Sequence, residues 1–213
     1  IGVIPTIAPY ILPDLLSMLA EAYPDLEPRF VEEQTQHLIT RLRNGNLDLA
    51  IMALPSEATG MVDSPLYTEK FSIVCPPDHP IAGREDVELA ELKDLDLLLL
   101  DDGHCLRDQV VDLCRHADIN PAEATNSVTR ASSLTTIMQL VMGGLGCTLV
   151  PESALATECH GKDVAIAHFA SDVTAEREVG LVFRSSAARA EEFREFGTLI
   201  TAAYNKAIER SRQ

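Results

Sequence analysis

The sequence predicts an α/β fold with a mainly parallel sheet. Strand-type and helix-type apolar patterns alternate along the chain. At 213 residues the chain is long enough for one large domain or two small lobes with a substantial core. Hydrophobic residues at 46% and charged residues at 23% give the balance of an ordinary globular protein. No apolar run approaches the roughly 18 residues of a membrane span, so no membrane partner is expected.

The elements follow in order. Ile1 to Pro5 reads as a strand, and Pro9 to Tyr23 as an amphipathic helix with Leu12, Leu15, Leu16 and Leu19 at helical spacing. Leu26 to Glu32 is a second strand, followed by a helix from Gln34 to Asn44 that closes at Asn44-Gly45, a good left-handed cap. Leu47 to Ala53 is a buried strand and Pro55 to Tyr67 a loop. A new region opens at Phe71 to Val74. It holds a strand at Leu97 to Leu100, a helix from Cys105 to His116 and another from Leu134 to Val141. Gly143 to Gly146 is a helix end turning into a short strand, Cys147 to Val150. Val179 to Phe183 is the last strand-type run. Ala187 to Arg210 is a long helix with Phe193, Phe196, Leu199 and Ile200 inward.

A formal net charge of −16 repels phosphate backbones, so these residues are not expected to grip DNA themselves. The chain opens at Ile1, directly in an apolar stretch, which reads as a piece of something longer. Five cysteines are few, odd in number and irregularly spaced. A disulfide-stapled secreted domain is disfavoured and a reducing cytoplasm is expected.

The order of local motifs resembles the effector-binding domain of LysR-type regulators. The motifs are Leu12 to Leu16, the Asp48 to Ile51 strand, His79-Pro80-Ile81-Ala82, and Gly144 to Pro151. One segment, Asp102-Gly103-His104-Cys105-Leu106-Arg107-Asp108-Gln109 with Cys114 nine residues after Cys105, resembles the redox segment of the OxyR-type peroxide sensors in that family. The resemblance implies two Rossmann-like lobes, similar to type II periplasmic binding proteins, with residues 1–68 and 181–213 in the first and 69–180 in the second. It implies an N-terminal winged helix-turn-helix beyond this chain that contacts promoter DNA, self-association to dimers and tetramers, and resetting by a cellular thiol reductant. No cofactor and no metal is implied. Hydrogen peroxide is the implied ligand, Cys105 the peroxidatic and Cys114 the resolving cysteine. Thr6, Thr35, His104, Gln109 and Arg177 fall where that family has its peroxide pocket.

The chemistry suits these residues. A sensor thiol must become a thiolate, meet peroxide and trap its sulfenic acid before further oxidation. Cys105 is expected in the first turn of a helix, where open amides and the helix dipole favour a thiolate. His104 is expected to add positive charge or a donor beside it. In one regular helix, residues nine apart lie about 13–14 Å apart along the axis and on opposite faces. A disulfide tolerates Cα separations only up to about 7 Å. Closing Cys105–Cys114 therefore has to unwind the segment. Packing in a core is the plain alternative for the two cysteines, and a zinc site from His104, Cys105, Cys114 and His116 lacks a paired clasp. Thr6 and Thr35 stand where helix caps are expected, and Arg177 where a surface charge is ordinary. Cys75 and Cys147 read as strand core and Cys159 as incidental. Rival functions are a LysR-type domain gated by a small organic ligand, a thiol peroxidase that turns over, and a solute-binding protein.

Overall fold

A computed structural model describes residues 1–212, with the side chains of 122, 123 and 125–129 outside the description. In chain order the elements are β1 (Gly2–Val3), α1 (Ala8–Ala22), β2 (Val31–Glu32), α2 (Thr35–Arg43), β3 (Leu49–Leu54) and β4 (Met61–Cys75). Then come β5 (Leu97–Leu100), α3 (Cys105–His116), α4 (Pro121–Ala124), β6 (Thr125–Ala131), α5 (Leu134–Met142), β7 (Thr148–Pro151), α6 (Glu152–Glu158), β8 (Ala165–Ala167), β9 (Glu176–Arg184) and α7 (Ala190–Ser211). The chain divides into two compact units, residues 1–69 with 177–213, and residues 70–176. The strands β4 and β9 carry the chain from one to the other.

In the first unit the strands run in the order β2-β1-β3-β9-β4. The β1–β2 and β1–β3 pairs are parallel and β3–β9 is antiparallel. The core gathers Leu15, Leu38, Leu42, Ile51, Met52 and Phe183. Phe183 meets Phe193 edge to face, ring centres 5.4 Å apart. Helix α1 packs along α7. Its inward stripe is Ala8, Ile11, Leu15 and Leu19, whereas Leu16, expected inside, is 46% exposed. The stripe advances by threes and fours, and residue 16 falls one step off it.

In the second unit β7 and β8 flank the end of β4, both antiparallel to it. β5 pairs with β6 in parallel. A one-residue bridge joins Leu97 to Cys147. Helix α3 packs on β5 and on the 3₁₀ turn Leu89–Asp94.

Two expectations are corrected. The sheets are mixed rather than mainly parallel, because β4 and β9, the connecting strands, run against their neighbours. Residues 61–67, read as loop, form the polar half of β4. Pro65 and alternating exposed side chains hide that strand, and an edge position in the first unit tolerates them. The elements β6, α4, α6 and β8 carry no periodic signal long enough to read.

Two glycines are set by close approach. A Cβ at Gly180 would lie 2.6 Å from the Ser64 carbonyl oxygen. Gly146, with φ +148°, would place one 2.1 Å from the Asp96 carbonyl oxygen. Gly180→Ala should therefore force β9 from β4 and cost about 1–3 kcal/mol. A urea midpoint equal to wild type at unchanged m-value would show that the strands yield instead.

Candidate functional site

The chemistry-bearing residues fall into two sets, one in each unit. The first is built on α3. Chain leaving β5 turns at Gly103, whose φ of +92° suits a residue without Cβ. His104 caps the helix in an extended conformation, and Cys105 is its first residue, as expected. Asp102 ties this turn down, meeting Arg107 at 2.8 Å and Arg130 at 3.0 Å. Leu106, Val110, Leu113 and Cys114 form the buried stripe.

The two cysteines sit differently. Cys105 is half-buried at the open helix start. Cys114 is 0% exposed on the core face, and burial pushes its thiol up, so it is held as a thiol at neutral pH. All five cysteines are thiols here. One unbroken helix spans residues 105–116, so the bond between the two α3 cysteines is sterically excluded in this state.

His104 is buried, and burial lowers its pKa from the ordinary 6.5 against an opposing pull from Asp101. The shift favours the neutral ring, against the expectation of positive charge beside Cys105 and in line with the alternative expectation of a donor. A donor remains available to it. Its Nδ1, and the Oε1 of Gln109 one turn along the helix, are buried without a hydrogen-bond partner among the described residues. Such atoms are costly unless something polar meets them. Gln109 also lines an open groove of about 600 Å³ with Asp112, Leu113, His116, Asp172 and Val173, to which Cys105 does not contribute.

The second set belongs to the first unit. Arg177 is a buried clamp rather than a surface charge. Its Nε–H and Nη2–H donate to Glu69 Oε2 at 2.9 and 2.7 Å. Its Nη1–H donates to Thr6 Oγ1 at 2.9 Å, and Nη2–H to the Thr6 carbonyl at 2.9 Å. Both charged side chains are 0% exposed. Because Thr6 Oγ1 accepts from Arg177, its own proton is turned away as a donor. Thr6 is not a helix cap, since Ile7 holds that position of α1. Nor does Thr35 cap: it is the first residue of α2 after Gln34, and its Oγ1 is buried without a partner among the described residues. Burial and then the Glu69 charge raise Tyr67 well above its ordinary value, and Tyr67 stacks on Tyr204 at 3.8 Å.

Glu69 escaped the sequence reading. Its signal is faint: one acid preceding the apolar run Phe71 to Cys75, 108 residues from its partner. Among the described residues no cluster of His, Cys, Asp or Glu is arranged to hold a metal, and no helix is long and apolar enough to cross a membrane.

These features define a two-unit α/β domain with a thiol at a helix start. The LysR substrate binding domain family matches residues 1–205, and the chain belongs to it. Its relatives are of the OxyR type. A probable hydrogen peroxide-inducible genes activator of Mycobacterium avium is 48% identical over 200 residues, covering 94% of this chain and 63% of the relative. The DNA-binding transcriptional dual regulator OxyR of Escherichia coli K12 is 37% identical over 202 residues, covering 95% and 65%. The chain thus spans somewhat less than two thirds of the curated relatives it matches. Among solved structures, an H2O2-bound cysteine-to-serine mutant of Corynebacterium glutamicum OxyR superposes with a TM-score of 0.97 at 60% identity, covering 99% of this chain and 66% of that one. The oxidised form of the same regulator gives 0.87 at 58% identity, covering 99% and 65%.

Two measurements test the site's electrostatics. Glu69→Gln leaves the Arg177 charge buried without its counter-ion and should cost about 3–5 kcal/mol in urea unfolding; a loss below about 1 kcal/mol would show the pair to be solvated. For His104, a folded pKa below the unfolded one means stability is full above pH 6.5 and falls as pH drops through that value. His104→Gln should flatten that acid limb, and an unchanged slope would place the titration elsewhere.

Proposed function

We propose that this chain is the peroxide-sensing regulatory domain of a DNA-binding transcription regulator, with Cys105 as the reacting thiol. The observation that carries it is the start of α3. There Cys105 is the first helical residue, beside a buried His104 whose Nδ1 lacks a partner among the described residues. The Cys105 thiolate attacks one peroxide oxygen, the O–O bond breaks, and the departing hydroxide takes a proton. Cys105 is left as sulfenic acid. Cys114, nine residues on, then attacks that sulfur, forming the disulfide and releasing water. His104 and Gln109 bring hydrogen-bonding groups to the first step. In the first unit, Thr6 and Thr35 are ligand-binding hydroxyls in this reading, with Arg177 acting through Thr6.

A domain of net charge −16 leaves promoter DNA to a winged helix-turn-helix outside these residues. In this reading the protein works as a self-associating dimer or tetramer in the cytoplasm. It reacts once per oxidation and is reset by a cellular thiol reductant, rather than turning over as an enzyme. Disulfide closure pulls residues 106–113 out of the helix, so Leu106, Val110 and Leu113 lose their packing and the self-association surface is redrawn.

Cys105→Ser should abolish peroxide consumption. Cys114→Ser should keep the first oxidation and accumulate sulfenic acid; equal rates in the two variants would overturn the assignment of roles. Thr35→Val removes a buried hydroxyl without a described partner, so stability should hold or rise while the second-order rate of Cys105 oxidation falls. An unchanged rate would remove Thr35 from the set. Hydrogen exchange should differ between reduced and disulfide forms chiefly across residues 103–120, and identical protection there would exclude the segment as the switch.

A further inference from the structure

We propose that Cys75 and Cys147 form a second disulfide-forming dithiol, a modification site separate from Cys105 and Cys114 that closes across two strands under excess hydrogen peroxide. The register points them at each other. The antiparallel β4–β7 pairing runs to Val74 and Thr148, and one step further in the same register sets Cys75, the last residue of β4, opposite Cys147, the residue before β7. The Cys147 N–H donates to the Asp96 carbonyl at 2.9 Å, and its own carbonyl accepts from the Leu98 N–H at 2.7 Å. Both backbone groups of Cys147 are therefore engaged on the β5 side. In a strand, the N–H and C=O of one residue point the same way, so towards β4 this is a non-hydrogen-bonded pair.

That distinction decides the chemistry. Non-hydrogen-bonded antiparallel pairs bring Cα atoms to about 4.5 Å and their side chains to the same face. Disulfides form at Cα separations of about 4.4–6.8 Å. The backbone is already where the bond needs it, whereas the two α3 cysteines require a helix to unwind. Cys75 donates to the Ala165 carbonyl at 3.7 Å. The mutual interaction of the two thiols draws the Cys75 pKa down and pushes that of Cys147 up, in keeping with Cys75 as the attacking sulfur.

The reaction balances with peroxide as oxidant. The Cys75 thiolate attacks peroxide, the O–O bond breaks, and hydroxide leaves with a proton to give Cys75 sulfenic acid and water. Cys147 displaces a second water to form the S–S bond. In sum, two thiols and one peroxide give one disulfide and two waters. Exposure is 0% for Cys75 and 1% for Cys147, so peroxide reaches them only when the β4–β7–β8 layer opens locally. The site answers to a dose or duration of oxidant beyond that which Cys105 meets. Cys159, by contrast, is buried at the end of α6 with its thiol pushed up to about 12 and belongs to no strand pair.

The test uses the Cys105→Ser chain, which cannot carry out the sensor reaction, alongside wild type. Both are treated with excess hydrogen peroxide, quenched with an alkylating agent, denatured and mapped by non-reducing digestion. The expected result in both is a cross-linked peptide pair containing Cys75 and Cys147. It should form at least about tenfold more slowly than the wild-type Cys105 reaction, with a rate that levels off at high peroxide as opening becomes limiting. Cys147→Ser should replace the cross-link with sulfenic or sulfinic acid on Cys75. Recovery of both cysteines as alkylated thiols, or their separate over-oxidation without a link, would overturn the proposal. A failed sensor reaction in wild type with the cross-link intact would count against the Cys105 reading alone.

Discussion

The buried ion pair between Arg177 and Glu69 is the interaction on which the architecture turns. Glu69 is the last residue of the first unit on β4, and Arg177 is its first residue on the return along β9. The two connecting strands are fastened to each other at the point where the chain changes unit. A charge pair with no solvent exposure is tolerated only with strong geometry and with its remaining donors satisfied. Arg177 meets that condition by taking both the hydroxyl and the carbonyl of Thr6. The turn after β1, the interior of β4 and the start of β9 are thereby fixed by one guanidinium. The orientation of the Thr6 hydroxyl is a by-product of that fixation.

The fold was legible where one segment carries its own signal. Helix α3 shows at both ends: Gly103-His104 stops the strand before it, and the Leu106, Val110, Leu113 stripe runs to Arg115 and His116. β5, four leucines in a row, is unmistakable. Legibility failed where structure is non-local. The first half of β4 is polar and contains Pro65, and it is a strand because β9 lies beside it. The antiparallel sense of β3 and β9 joins residues about 130 positions apart, such as Ile51 and Leu181, and no local period reports it.

The same division holds at the site. The positions of Cys105, Cys114 and His104 on α3 follow from the sequence, because a helix start and a spacing are local properties. The lowered pKa of His104 does not, since it depends on what buries the ring. The unpartnered atoms of Thr35, His104 and Gln109 are invisible to the sequence for a like reason. An unmet hydrogen bond is a property of packing, and residue type alone supplies both the capping and the ligand-binding reading of a threonine. Glu69 completes the pattern: its meaning lies entirely in a partner 108 residues away.

The burial of Cys114 has a consequence for the electrochemistry of the proposed switch. A helix that must be given up on oxidation opposes that oxidation with the free energy of its packing. Each apolar side chain withdrawn from the core costs about 1.5–3 kcal/mol. For a two-electron couple that corresponds to roughly 30–65 mV of reduction potential. The leucine and valine stripe of α3 therefore sets the voltage of the couple, making the disulfide easier to reduce than an unconstrained one. Substitutions on that stripe, far from either sulfur in chemical character, would retune the oxidant level at which the domain rests half oxidised.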